Sequence, residues 1–408
     1  MHVAVVGGGA VGLTTAWYLR QRNAEVTLFE MAEPGNGASW GNAGQILPAK
    51  SLPLSEPGNL TYALKSFFKK NSPVTAPKSL SPHLVNFLLR FAQNSTASKF
   101  HKSSAEMLQL GKDAFSEYAV IEAQGIETTR KSGPFTAAFS QRKIADGMFH
   151  EYERVRPFLE SLNIEILEGA ELRRREPLLE KNFKYGLQLN NQSFIDPPQF
   201  VTNLVNALNQ NGTNLCNHHK VKEIKRVGGK IELNFSNGKS ESFDAVVVAT
   251  GAWLNRLTEN HGVRMPVVAG VGYSMSVEVP HQTQGMLYFP EARLATTNYR
   301  DRLRISTFMQ MTDVETPRDP RRTQRLLSLA KDVIPKAHWE TVSDFWSGGR
   351  PLSGDGKPLI GSSKTEGIYI NSGHGMWGIT LAPVSAREIS NLIMEGKPIS
   401  PAFNPLRI

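Results

Sequence analysis

Residues 2–30 read HVAVVGGGAVGLTTAWYLRQRNAEVTLFE, and the fold turns on how that stretch is parsed. His2–Val6 is a short β-branched run ending at glycine, which reads as a buried strand. From Ala10 to Gln21 the apolar spacing is helical, with Val11, Thr15, Tyr18 and Leu19 on or near one face. EVTLFE is a second strand that closes on Glu30. Between the first strand and the helix, Gly7, Gly9 and Gly12 stand in G-x-G-x-x-G spacing. Gly7 permits the tight turn, Gly9 lets the backbone approach a pyrophosphate, and Gly12 lets helix and strand pack closely. The helix N-terminus offers free N–H groups and the positive end of a dipole to phosphate. Glu30 is placed to accept from ribose hydroxyls, and an acid there disfavours a 2′-phosphate. A glycine motif alone is weak. Strand, glycines, helix, strand and acid in this order make a dinucleotide site the expectation over a mere packing turn.

The bulk numbers fit that reading. A chain of 408 residues exceeds one ordinary core, so two domains, interleaved in sequence, are expected. Apolar residues make up 40% and charged residues 20%, a globular balance rather than a disordered one. The net charge of +9 admits an acidic partner, a membrane surface or an anionic ligand. The basic clusters Arg173-Arg174-Arg175, Arg300/Arg302/Arg304 and Arg318/Arg321/Arg322 lack interleaved aromatics, so no nucleic-acid partner is expected and most of this charge is read as solvated surface. Cys216 is the single cysteine, which excludes an intrachain disulfide and fits a reducing, cytoplasmic setting. It begins CNHH, but adjacent histidines on a strand point to opposite faces, so no metal site is expected. No charged region precedes the first apolar segment, so no signal peptide is read. No apolar run nears the ~20 residues that span a bilayer.

The opening unit does not separate NAD from FAD. GNGASWGNAGQILP, residues 35–48, suits a loop facing a second ligand surface, or an ordinary loop. FDAVVVATGAWLNRL, 243–257, is a buried strand closing on Thr250-Gly251, as if a sheet were completed after a long excursion. DFWSGGRPLSGDGKPLIG, 344–361, precedes the strand GIYIN, the glycine turn SGHGMWG and the amphipathic helix ITLAPVSAREISNLIM. A second helix N-terminus thus emerges from a glycine loop, suited to an anionic ring system.

In their order along the chain, the N-terminal unit, GASWGNAGQ, VVVATGAW, GGRPLSGDGKPLIG and GHGMWGITLAP resemble the FAD-dependent D-amino-acid oxidase family, which includes glycine oxidase, sarcosine oxidase and D-amino-acid dehydrogenase. GNAGQ followed by a proline, and GVGYSMSV, are most similar to the D-amino-acid dehydrogenase branch. The resemblance spans nearly the whole chain, more loosely over 50–130 and 310–340. It implies an FAD held by Gly7, Gly8, Gly9, Ala10, Val11, Gly12 and Glu30. Ser39, Asn42, Ala43, Gly44 and Gln45 would run from the pyrophosphate toward the flavin, with Val221 on the adenine side. Thr250, Gly251 and Trp253 would line the FAD, and Gly373, His374, Gly375, Met376, Gly378, Ile379 and Thr380 would surround the pyrimidine edge of the ring. Arg350, in GGRP, matches an arginine bordering substrate and flavin, and Tyr273 matches the tyrosine of the branch's GYS. The chain departs from its relatives in ATTNYRDRLR: Asn298 occupies the slot of a carboxylate-clamping arginine, leaving Arg300 and Arg304 as rivals.

The expected fold is α/β, a discontinuous Rossmann-like FAD domain (1–50, 195–266, 344–396) with a mixed antiparallel α+β substrate domain (51–194, 267–343) and a tail at 397–408. Residues 51–130 are read as helix-rich, with PHLVNFLLRFAQ and AEMLQLGKDAFSEYAVIEAQG as helical segments and PFTAAFS as a strand. The implied chemistry is oxidation of the C–N bond of a small amino acid, a D-amino acid on the resemblance, by hydride transfer to flavin N5. The imine hydrolyses to a 2-oxo acid and ammonia, and electrons pass to a quinone, another carrier or oxygen. An arginine suits the substrate carboxylate because its fork makes two charge-assisted bonds. Rival readings are a secondary-amine substrate (D-proline, hydroxy-D-proline, sarcosine, glycine or an opine), a flavin-bearing accessory subunit, and an NAD-dependent dehydrogenase. Peripheral membrane contact stays open.

Overall fold

The computed structural model describes residues 1–58, 81–158, 163–316 and 318–408. Part of the expected helix-rich span, 59–80, lies outside the described residues. The opening unit folds as read: strand His2–Val6, helix Ala10–Gln21 and strand Glu25–Phe29. The two strands pair in parallel, Val5 opposite Leu28 and Val6 opposite Phe29. On the other side of His2–Val6 runs Ala245–Val248, also parallel, so the sheet is completed more than two hundred residues later. The six-stranded sheet has the order Leu359–Ser362, Ile368–Ser372, Ala245–Val248, His2–Val6, Glu25–Phe29, Asn214–Cys216, with only its first strand antiparallel. Strands covered on both faces must be apolar throughout, and Val3, Ala4, Val5 and Ala245–Val248 are fully buried.

Helices Ala10–Gln21 and Gly378–Glu395 pack on one face of this sheet around Leu13, Trp17, Leu381 and Ile389. The last helix contains Pro383, which removes one backbone N–H and so deprives the Ile379 carbonyl of its helical donor. Tyr118 supplies the replacement: its hydroxyl donates to Ile379 O at 2.9 Å. A proline in the second turn of the helix is thereby tolerated next to the cavity described below.

The second layer is a nine-stranded mixed sheet. One end is antiparallel, with Val267–Glu278 between Arg302–Thr312 and the edge strand His338–Ser353. One pair, Met286–Phe289 with Lys131–Phe139, is parallel. Residues 344–353, which the sequence reading groups with the FAD domain, pair with this sheet as the second half of His338–Ser353, with Arg350 opposite Gly270. Gln45–Ile46 also joins this sheet, through Phe194 and Ser193. The segment read as one helical stretch over 105–125 is two helices, Ala97–Gly111 and Ala114–Ala123. A three-stranded antiparallel sheet, Val221–Val227, Lys230–Phe235 and Ser240–Phe243, flanks the parallel sheet.

Candidate active site

The carboxyl ends of the parallel strands open into a cavity of about 680 Å³, within the range of roughly 300–1,000 Å³ common for small-molecule sites. Gly7, at φ +111°, makes the turn out of the first strand, and a Cβ there would lie 2.5 Å from Ala249 O. A Cβ on Gly12 would lie 1.8 Å from Gly7 O, so Gly12 sets the packing distance and does not face the cavity. The helix begins with no side-chain cap from Gly9 and no acid in its first turn. Ser39 Oγ accepts from Ala10 N at 2.9 Å and fixes the following loop against the cradle. Glu30 accepts from Gly8 N (2.7 Å) and Ala32 N (3.0 Å), one bond on each oxygen, so free lone pairs remain at the cavity wall.

Of the residues singled out in the sequence, Gly7, Gly9, Ala10, Val11, Glu30, Ser39, Asn42, Val221, Thr250, Gly251, Trp253, Arg350, His374, Gly375, Gly378 and Ile379 line this one cavity. Gly8, Gly12, Ala43, Gly44, Gln45, Gly373, Met376 and Thr380 do not. Several of these hold the walls in place. Gly8 donates to Glu30, and Gly44 takes φ +70° where a Cβ would meet Ile195 O at 2.1 Å. The Thr380 hydroxyl donates to Gln45 O at 3.2 Å, tying the last helix to the loop.

Three buried polar atoms at the cavity have no partner among the described residues: Thr250 Oγ1, Asn371 Oδ1 and Arg318 Nη1. With the N–H groups at the helix start that Ser39 leaves free and the free valences of Glu30, they form a donor and acceptor set that fits a dinucleotide. At the far end the last helix starts at Gly378, again with no acid in its first turn. His374 sits beside it, and burial pushes its pKa down to about 3. Ser385 donates to Ala382 O (3.2 Å), which leaves His374 Nε2 as the donor to Ser385 Oγ (3.0 Å). The imidazole is neutral, with Nε2 engaged by Ser385 and a basicity that burial holds low.

The large sheet forms the roof. Along Val267–Glu278 alternate residues face opposite ways. Gly270, Gly272, Ser274 and Ser276 face inward: the Ser274 hydroxyl donates to Gly41 O at 3.0 Å, in the loop after the cradle. Arg350 lies across this face, and a Cβ on Gly272 would lie 1.9 Å from its Nη1. A bulge orients it. The register shifts between Val271 and Tyr273, Phe308 takes φ +68°, and the Phe308 carbonyl accepts from Arg350 Nη1 at 3.2 Å. Ser306 Oγ accepts from Nη2 at 3.4 Å. Among the described residues no carboxylate pairs with Arg350, and burial alone lowers its pKa to about 10, so it is charged at neutral pH. Trp346 lies on the same face: Cβ atoms on Gly41 and on its strand neighbour Gly348 would each come within 2.0 Å of its ring.

Two of the substrate residues expected from the sequence are placed elsewhere. Tyr273 is one step from Gly272 and therefore faces outward, packed edge-on against Phe308 with its hydroxyl accepting from Asp319 N at 3.2 Å. Arg300 is at an exposed hairpin tip with φ +50°, engaged with Asp196 (3.1 Å) and Gln199 (2.8 Å). Its rival Arg304 faces inward but is consumed: it donates to Ser274 Oγ, Ser276 Oγ and Asp344 O. The expectation of solvated charge holds for Arg174 and Arg321 but fails for Arg304, Arg318 and Arg322, which burial holds below the usual arginine range. The strand before CNHH ends at Cys216, so His218 and His219 lie in a turn rather than on a strand. His218 bonds Glu33 at 2.7 Å. Among the described residues no cluster suits a metal, and no helix is long and apolar enough to cross a membrane. Trp346 and Arg318, both on the cavity, are site residues that sequence reasoning misses. Arg318 is visible there only as part of a basic cluster, and Trp346 carries no signal.

A nucleotide cradle roofed by a mixed sheet that carries a half-buried arginine, with no carboxylate partner among the described residues, fits a dinucleotide-dependent oxidoreductase. The family model for FAD dependent oxidoreductases (DAO) matches residues 2–392, and the chain belongs to this family; its cofactor is FAD. The chain is 27% identical to a D-amino acid dehydrogenase of Rhizorhabdus wittichii, over 98% of this chain and 97% of that protein. A D-amino acid dehydrogenase of Rhodopseudomonas palustris is likewise 27% identical, over 95% and 92%. Among solved structures, glycine oxidase from Geobacillus kaustophilus superposes with a TM-score of 0.76 at 21% identity, over 100% of this chain and 98% of that one.

Proposed function

We propose that the chain oxidises the C–N bond of a small amino acid, with D-amino acids as the substrate class, to an imino acid that hydrolyses to a 2-oxo acid and ammonia. The observation that carries this is Arg350, a charged guanidinium held by a bulge carbonyl over a strip of glycines, with no acid among the described residues to answer it. The names of the curated relatives support the D-amino-acid reading. FAD supplies the acceptor for the hydride leaving Cα.

The remaining work falls to the chain. Gly7–Gly9, Ser39 and the first helix would hold the pyrophosphate, and Gly378–Ile379 would face the ring. Arg350 would bind the α-carboxylate through its fork and so fix which face of Cα is presented. Trp346 would keep water from the reacting carbon. His374, neutral and tied to Ser385, is unsuited to accept the ammonium proton. The amine must then arrive neutral, so kcat/KM should rise with pH toward the substrate's amine pKa. Electrons would pass on to a quinone, another carrier or oxygen.

Anaerobic titration of the FAD-loaded protein with D-, L- and N-substituted amino acids tests this. Bleaching by D-amino acids supports it; bleaching only by secondary amines would redirect it to that class, and none by any amine would sink it.

A further inference from the structure

One more guanidinium reaches the cavity with nothing among the described residues to meet it. Arg318 lies in the connection between strand Arg302–Thr312 and helix Arg321–Val333. It approaches past His338–Ser353, the edge strand of the large sheet: its Nη2 is 3.8 Å from where a Cβ on Gly349 would stand. Its Nη1 is buried and has no hydrogen-bond partner among the described residues. The acids of the same connection are engaged elsewhere. Asp313 accepts from Ser81, Glu315 holds Arg256 at 2.5 Å, and Asp319 holds Arg321 at 3.0 Å. Burial holds the Arg318 pKa below the usual arginine range, with Tyr273 as the offsetting neighbour.

Arg304 shows what a structural arginine looks like in this sheet: it is buried, both of its terminal nitrogens donate, to two hydroxyls and a carbonyl, and only its Nε lacks a partner among the described residues. Arg318 is half-buried, but its terminal Nη1 is buried without such an acceptor, which is costly unless a ligand supplies one. Gly349 and Arg350 face opposite sides of their strand, so Arg318 and Arg350 enter the cavity from different sides. A single carboxylate cannot occupy both.

We propose that Arg318 is a second oxyanion-binding residue of the cavity, receiving a phosphate or carboxylate oxygen from a ligand that fills it. This rests on reading the cavity as the FAD and amino-acid site. Two sources carry the required chemistry: the FAD pyrophosphate, and a second carboxylate on an acidic amino acid.

The test uses Arg318→Gln and Arg318→Lys with two readouts: FAD affinity, from flavin fluorescence during reconstitution, and KM for paired substrates, D-aspartate and D-glutamate against D-alanine. Arg318→Gln should weaken one readout tenfold or more, with Arg318→Lys in between. A loss of FAD affinity at unchanged KM assigns the phosphate. A rise in KM confined to the dicarboxylic substrates assigns the carboxylate. Unchanged FAD affinity with no difference between the two substrate classes overturns the proposal. Should Arg318→Gln not fold, Arg318→Lys carries the same comparison with a several-fold shift expected. If no amino acid reduces the flavin, the proposed function fails while the FAD-affinity arm still decides the role of Arg318.

Discussion

The parallel sheet and the large mixed sheet meet at one cavity but present themselves to it differently. In the parallel sheet the cavity-facing groups are mostly backbone: the turn at Gly7, the start of the first helix, and the start of the last helix at Gly378. In the large sheet they are side chains, Arg350 and Trp346, laid over glycines. A backbone site demands particular glycines at particular spacings. A side-chain site demands only that register, bulge and face agree, and many sequences meet that demand. The first sheet should therefore fail through sterics, the second through chemistry.

The largest effect is expected in the cradle. Gly12→Val drives a side chain into the Gly7 carbonyl, a backbone group that cannot swing aside, with the Ala249 methyl beside it. Stability should fall by about 3 kcal/mol or more, and flavin should be lost, as thermal unfolding and flavin absorbance would register. A flavin-replete, stable Gly12→Val protein would erase the distinction between the sheets.

Next comes Arg350→Leu. FAD should remain bound, while KM for the amino acid rises on the order of 100-fold, about 3 kcal/mol of lost charge-assisted hydrogen bonding. Steady-state kinetics at saturating FAD measures it.

Side-chain chemistry beside the large sheet should also appear as pH dependence, at Glu176, which caps the helix Gly169–Arg175. Glu176 is buried, neither of its oxygens has a hydrogen-bond partner among the described residues, and burial raises its pKa to about 8, with the nearby Gln284 backbone and Thr136 offsetting part of the effect. The folded state then holds a proton that the unfolded chain releases near its ordinary value of 4.5. Its contribution is fully present below that value and is lost as pH rises through about 8. Melting temperature should fall over this window, and Glu176→Gln should flatten the fall.

The smallest effects are expected at the two sequence-suggested substrate contacts that lie off the cavity. Tyr273→Phe removes one bond, from Asp319 N, and Arg300→Ala removes an exposed pair. Both should leave kcat/KM unchanged and shift stability by about 1 kcal/mol or less.

The same contrast explains what is legible in the sequence. Gly7, Gly9, Gly12 and Glu30 can be read with their roles, because covalent geometry and close approach impose them. The return of the chain at Ala245–Val248 is legible because a strand buried on both faces must be uniformly apolar. Tyr273 and Gly272 are neighbours in a run whose two faces are both covered, so alternation does not say which face holds the ligand. Arg350 emerges through motif resemblance, yet the bulge at Phe308 that aims it has no local signature. The pairing of 344–353 with the large sheet is not legible because glycines and prolines in DFWSGGRPLSG suggest turns, whereas Gly348 and Gly349 sit inside a strand, in close contact with Trp346 and Ala269. Arg318 is visible in the sequence only as a charge; its burial is a tertiary fact.

The most direct measurement is a crystal structure of the FAD-loaded protein with an unreactive carboxylate in the cavity. The pyrophosphate should lie along Gly7–Gly9 and Ser39, and the carboxylate within hydrogen-bonding distance of the Arg350 guanidinium, above Gly272. A carboxylate seated on Arg300 or Arg304, or a cofactor lying away from the glycine turn, would contradict this assignment of the site.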